Sequence, residues 1–100
     1  MVQEITITEK HVQVRLSGGI YVEEAARIRE SLTGYIQEGR NRFTIDLGGV
    51  DYIDSSGLGM LIAIHKMTMQ KGGGIVITGL KGLVRELFVL TRLTKVFEIQ

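Results

Sequence analysis

Segments with an apolar residue at every second position alternate along this chain with segments that repeat at helical spacing. No other feature of the sequence limits its fold so tightly. In "EITITEK", Ile5 and Ile7 fall on one side and Thr6 and Thr8 on the other; "HVQVRLSG" does the same with Val12, Val14 and Leu16. Both predict strands with one buried face, joined as a hairpin near Glu9 and Lys10. "YVEEAARIRESLTGYIQEG" changes period: Val22, Ala25, Ile28, Leu32, Tyr35 and Ile36 recur as on one face of a helix. Glu23 and Glu24 lie in its first turn, where the helix dipole favours them, and Gly39 ends it.

"RFTIDL" predicts a third strand with Phe43, Ile45 and Leu47 on one side, broken by Gly48 and Gly49. A helix is expected from about Ser55 to Gln70, stopped by "KGGG", and "GIVITG" reads as a covered central strand. "GLVRELFVLTRL" predicts a helix with a Leu83, Leu87, Leu90 stripe flanked by Val84 and Phe88, and "KVFEI" closes as a strand or tail. The order β-β-α-β-α-β-α-(β) is that of an α/β fold, a mixed, largely parallel sheet packed with helices that need not cover both faces equally.

At 100 residues, the chain is expected to form a single domain over 1–100. It has no cysteine, so disulfides, thiol nucleophiles and cysteine metal sites are excluded. The opening "MVQEITITEK" does not read as a signal peptide, and no apolar run approaches the roughly 18 residues of a membrane span. A soluble, cytoplasmic protein is expected, with no membrane partner. Net charge is +1 and the basic residues form no block, so direct nucleic-acid binding is not indicated.

The chemistry concentrates in "DYIDSSGLGMLIAIHK", at a strand-to-helix junction. Asp54, Ser55 and Ser56 are all capping residue types, so the stretch can serve simply as a helix start. A nucleophile elbow would need G-x-S-x-G, and Ile53 or Asp54 stands where its first glycine belongs. A base is also missing. His65 is about 15 Å up the same helix at 1.5 Å per residue, where it reads as a surface residue, and His11 begins a strand. "GLGMLI" lacks the third small residue of a dinucleotide fingerprint, and no G-K-[ST] follows "KGGG" as a P-loop requires. A third possibility is a serine that receives a phosphate: with Asp54 as the cap, Ser55 would be free to point outward. The helix behind the junction is apolar on most sides, with Leu58, Leu61, Ile62 and Met69 in one stripe and Met60, Ala63, Ile64 and Met67 in another. Such a helix is either deeply buried or partly offered to a partner.

The hydrophobic–Asp–Ser–Ser–Gly–Leu–Gly stretch at 53–59 resembles the central signature of STAS domains, and more narrowly that of bacterial anti-sigma factor antagonists. The resemblance extends through "VRLSG", "FTIDLGGVDYIDSSGLGMLIAIHK", "KGGGIVITGL" and "VRELFVLTRLTKVFEI". It implies a STAS-like fold and partner switching. An unphosphorylated antagonist binds an anti-sigma factor that is also a serine kinase, which frees the sigma factor. That kinase uses ATP and magnesium to phosphorylate the antagonist and release it, and a phosphatase resets the system. The chain itself would be substrate rather than enzyme and would hold no cofactor or metal. The phosphoacceptor falls on Ser55, with Tyr21, Asp54, Ser56, Gly57, Leu58 and Gly59 in the docking surface.

Two departures from the family pattern stand out. Gly19 and Tyr21 in "GGIY" replace two acids, and Arg92 replaces a glycine. Loss of the acids keeps a second reading open: a constitutive STAS scaffold subunit of a stressosome-like or lipid-transport complex, not regulated by phosphorylation.

Overall fold

A hairpin starts the fold in the computed structural model, which describes residues 2–100. Strands β1 (Val2–Thr8) and β2 (His11–Ile20) pair antiparallel, and Glu9 turns the chain at φ 53°. Then follow α1 (Val22–Gln37), β3 (Arg42–Ile53), α2 (Ser55–Gln70), β4 (Gly74–Thr78), α3 (Gly82–Leu90), a single 3₁₀ turn over Leu93–Lys95, and the short β5 (Glu98–Ile99). The sheet order is β1-β2-β3-β4-β5, with β2 to β5 parallel. The α/β expectation and its element order hold. Each crossover steps to the next strand in the same sense, so all three helices land on one face.

That face carries the core. Val12, Val14 and Leu16 of β2, Phe43, Ile45 and Leu47 of β3, and Ile75 and Ile77 of β4 meet Ile28 and Leu32 of α1, Leu61 and Ile64 of α2, and Val84 and Phe88 of α3. The other face is polar and open: Gln13 and Arg15 are exposed, and Thr44, Asp46 and Thr78 are half-buried. There Arg15 lies 3.5 Å from Glu4 and 3.6 Å from Asp46. Ion pairs this exposed contribute little.

The structure corrects the reading in several places. β4 is covered on one side only, since its outward Val76 and Thr78 stay half-open. β3 does not break at Gly48 and Gly49 but runs on to Ile53 through two register shifts against β2. Bulges absorb the extra residues. The Gly48 N–H, displaced from the ladder, donates instead to Asp46 Oδ1 at 2.8 Å. At Gly49 a Cβ would press on Ser17 Cβ at 3.0 Å and on Leu16 O at 3.2 Å, so glycine permits the close strand approach. In α3 the buried stripe is Val84 and Phe88, while Leu83 and Leu90 face outward. Val22, placed on the apolar face of α1, is 63% exposed. Of the α2 methionines, Met60 is buried and Met67 packs half-buried against the core; Met69 is exposed. Arg92 takes the left-handed conformation at φ 61°. That geometry suits glycine and costs other residues roughly 1 kcal/mol.

His65 is not on the surface. It is only 9% exposed, its Nδ1 accepts from the Ile75 N–H at 3.2 Å, and its ring meets Phe97 edge-on at 4.9 Å. It thus ties α2 to β4 and to the C-terminal segment. Burial holds its pKa below the ordinary 6.5, against a smaller upward pull from a hydrogen bond to the Val96 backbone. The unfolded chain therefore binds the proton more readily than the folded one. This contribution to stability is complete above 6.5 and is lost as pH falls from there through the lower folded value. Melting followed from pH 7.5 down to 5, values chosen about one unit or more either side of an ordinary histidine, should show wild type losing more stability than His65→Asn. Asparagine keeps an acceptor near the Nδ1 position without titrating. Equal losses in the two proteins would contradict the assignment.

Candidate functional site

Because β2 and β3 are parallel, their C-terminal ends lie side by side and deliver α1 and α2 from the same end of the sheet. The Asp54 N–H donates to Ile20 O at 3.1 Å, which locks the exit of β3 to the exit of β2. Asp54 is extended (φ −97°, ψ −175°), and its Oδ1 accepts from the Gly57 N–H at 3.1 Å. It is the N-cap of α2, and the first helical bond, Leu58 N–H to Asp54 O, closes at 3.0 Å.

Aspartate in the cap leaves Ser55 as the first residue of the helix proper. Ser55 is exposed, and its hydroxyl makes no hydrogen bond among the described residues. It stands where the first N–H groups of the helix lack internal acceptors and the dipole is positive. Ser56 is half-buried; Gly59, one turn on from Ser55, is exposed on the same side. Leu58 is half-buried against the core. Gly57, which the resemblance puts in the docking surface, is buried against the ends of β2 and β3. A Cβ there would lie 2.5 Å from Ile53 Cγ1 and 2.9 Å from Ile20 Cγ2. Its part is to let the helix seat.

Tyr21 precedes α1 directly. Its N–H donates to Glu24 Oε1 at 3.0 Å, and its side chain is 50% exposed. The edge of the ring lies against Gly19, and the ring meets that of Tyr52, centroids 5.5 Å apart and planes tilted by 32°. Tyr21, Val22, Glu23, Glu24 and Asp54 line an open depression of about 470 Å³, so Tyr21 and the cap of α2 share one surface. Asp51, exposed, precedes Tyr52 in the same strand. Tyr52 escaped the sequence reading, and Val22 was read there only as part of the apolar face of α1. The one available signal for Tyr52 was its place two residues before Asp54, but its face depends on the second β3 bulge.

Chemically this is an exposed hydroxyl with no histidine beside it. His65 faces inward to Ile75, and His11, at the opposite end of the sheet, has its Nε2 2.8 Å from Thr44 Oγ1. Among the described residues no group of three or more His, Asp or Glu side chains is arranged to hold a metal ion. Neither is any helix there long and apolar enough to cross a membrane.

Comparison with known proteins agrees with the fold. The STAS domain family model matches residues 3–100. The anti-sigma-B factor antagonist of Bacillus subtilis is 31% identical over 96 residues, covering 96% of this chain and 87% of the relative. The crystal structure of an anti-sigma factor antagonist from Mycobacterium paratuberculosis superposes with a TM-score of 0.85 at 21% identity, covering 98% of this chain and 83% of that one. The Bacillus cell fate determinant SpoIIAA in its phosphorylated form gives a TM-score of 0.81 at 18% identity, covering 99% and 91%. At such identities the two solved structures speak for the fold.

Proposed function

The chain belongs to the STAS domain family, among the bacterial anti-sigma factor antagonists, and we propose that it works by partner switching at Ser55. Unphosphorylated, it binds an anti-sigma factor through the face around Ser55, Asp54, Gly59 and Tyr21, and so frees a sigma factor in the cytoplasm. The anti-sigma factor, as a serine kinase using ATP and magnesium, transfers a phosphoryl group to the Ser55 hydroxyl and loses its grip. A phosphatase restores the binding form. The chain is the substrate of this cycle.

One observation carries the reading: Ser55 is exposed at the first position of α2 while Asp54 supplies the cap. A serine that capped its own helix would have to give up that bond to be modified. Ser55 gives up nothing. A phosphate adds about −1.5 to −2 charge at pH 7, and the helix's positive end tolerates it. On the partner side, a carboxylate about 6 Å away would be repelled by roughly 1–3 kcal/mol per charge pair at intermediate dielectric. That is about a tenfold to hundredfold loss of affinity.

The test is to incubate the chain with the purified anti-sigma factor of its own genome, ATP and magnesium, and to map phosphate by mass spectrometry. A single phosphate is expected on the peptide carrying Ser55, absent from Ser55→Ala. Phosphate on another residue, or none, would end this reading.

A further inference from the structure

We propose that the Tyr21–Tyr52 ring pair, seated on Gly19, is the specificity-determining anchor of this docking face and receives an apolar side chain of the partner protein. The inference rests on the reading that the Ser55 face docks a protein, and it specifies how that protein is chosen.

Both rings are offered to solvent, Tyr21 at 50% and Tyr52 at 37%, beside the exposed Val22. An exposed apolar group of this kind marks an interaction site more often than a lone surface residue does. Tyrosines lose little side-chain entropy on docking and are prominent among the residues that dominate interfaces. The pair is continuous with the Ser55 site, because Asp54, which caps the helix Ser55 begins, lines the same depression as Tyr21 and Val22. A partner footprint of about 800 Å² takes in both.

The pair is also built rather than accidental. A Cβ on residue 19 would come within 2.4 Å of Tyr21 Cε2 and 3.2 Å of its Cζ. Glycine at 19 leaves room for the edge of the Tyr21 ring against β2, where a Cβ would push the ring aside, and Gly19 is the residue that pairs with Tyr52 across the sheet. Glycine at 19 and tyrosine at 21 are therefore a matched set.

The charges around the rings decide the occupant's chemistry. Glu24 is committed to the Tyr21 N–H, Asp54 to the Gly57 N–H, and Glu23 lies 3.7 Å from Arg27 on its own helix. That leaves Asp51 as the exposed carboxylate with no ion pair among the described residues. Apart from Asp51, the recognition elements offered here are the two rings and Val22. A cation placed here would also be drawn more strongly once Ser55 carried a dianion, so phosphorylation would tighten the complex. An apolar occupant gains nothing from the new charge, which lets repulsion elsewhere in the footprint release the partner.

The experiment is calorimetric titration of the same anti-sigma factor onto wild type, Tyr21→Ala, Tyr52→Ala, Tyr21→Phe, Gly19→Ala and Ser55→Asp, with a melting curve for each. The proposal expects Tyr21→Ala, Tyr52→Ala and Gly19→Ala each to weaken binding about tenfold or more. Tyr21→Phe should bind like wild type. Melting temperatures should stay near wild type, because the rings are outside the core. The Gly19→Ala arm matters most, since it moves a ring without removing one. The wild-type to Tyr21→Ala ratio should be the same at about 0.1 and about 0.5 M salt; a ratio that shrinks with salt would reveal a cationic occupant and overturn the assignment. If Ser55→Asp blocks binding while the tyrosine and glycine variants bind normally, the anchor is refuted and the Ser55 reading stands. If Ser55→Asp binds like wild type, the Ser55 footprint fails and the anchor fails with it.

Discussion

Gly57→Val is expected to lower the melting temperature by about 12–24 °C. The new Cβ would fall 2.5 Å from Ile53 Cγ1, 2.9 Å from Ile53 Cδ1 and 2.9 Å from Ile20 Cγ2. Those isoleucines are the last residues of β3 and β2 and are almost wholly buried, so neither can swing into solvent. Interiors are close-packed, and forcing extra carbon into one costs about 1–3 kcal/mol, more at a branched residue in a helix. Taking about 3 kcal/mol, and about 4–8 °C per kcal/mol for a domain of this size, gives that shift. Gly59→Ala on the same helix is the control. Nothing lies within 4 Å of a Cβ there, so the gain in helix propensity of about 0.5–1 kcal/mol should raise the melting temperature. Calorimetric melting of both variants checks the pair. Wild-type stability for Gly57→Val would mean that α2 does not seat on the ends of β2 and β3 as described.

Ser55→Asp should weaken binding to the anti-sigma factor by about tenfold to hundredfold while leaving the fold intact. The two halves of that expectation have one cause. At the first position of a helix an added carboxylate meets the positive end of the dipole, which is worth about 0.3–1 kcal/mol in favour of the folded chain. The melting temperature should therefore hold or rise. The same charge, facing outward beside Asp54, is presented to whatever docks there. Ser55→Ala separates loss of the hydroxyl from gain of charge and should bind like wild type. Titration calorimetry and a melting curve on the three proteins decide the matter. An aspartate variant that binds normally, or one that fails to bind because it has unfolded, would both be inconsistent with a charge switch.

What could be read from the chain alone were the features decided within a few residues. The cap is one. Asp54, Ser55 and Gly57 lie within four positions, and the alternatives among them are settled by ordinary capping chemistry once the helix start is known. Helix α2 was bounded correctly at Ser55 and Gln70 for the same reason, since a cap stands at one end and "KGGG" at the other. Decisions taken across the fold stayed hidden. Gly48 and Gly49 read locally as a strand end, but β2 lies against Gly49 and needs its missing side chain, and β3 continues. His65 has no sequence signal of burial; the Ile75 amide and the Phe97 ring that hold it arrive from elements 10 and 32 residues away. In α3, leucines at 83, 87 and 90 look like the natural core stripe, but the helix rolls to bury Val84 and Phe88, and Phe88 packs near Phe97. The Tyr21–Tyr52 contact depends on two bulges in β3 that set which way Tyr52 faces. Gly57 was visible as part of a motif, but its inward direction was not.

The most direct measurement is to compare the same chain with and without one phosphoryl group on Ser55, prepared by the kinase and separated by charge. Each form is titrated with the anti-sigma factor, and its amide NMR spectrum and melting curve are recorded. The account predicts that the phosphorylated form loses at least about a factor of ten in affinity. Its spectrum should change only near the start of α2 and the Tyr21 turn, and its melting temperature should not fall. Undiminished binding by the phosphorylated chain, or binding lost together with spectral change spread through the core, would contradict it.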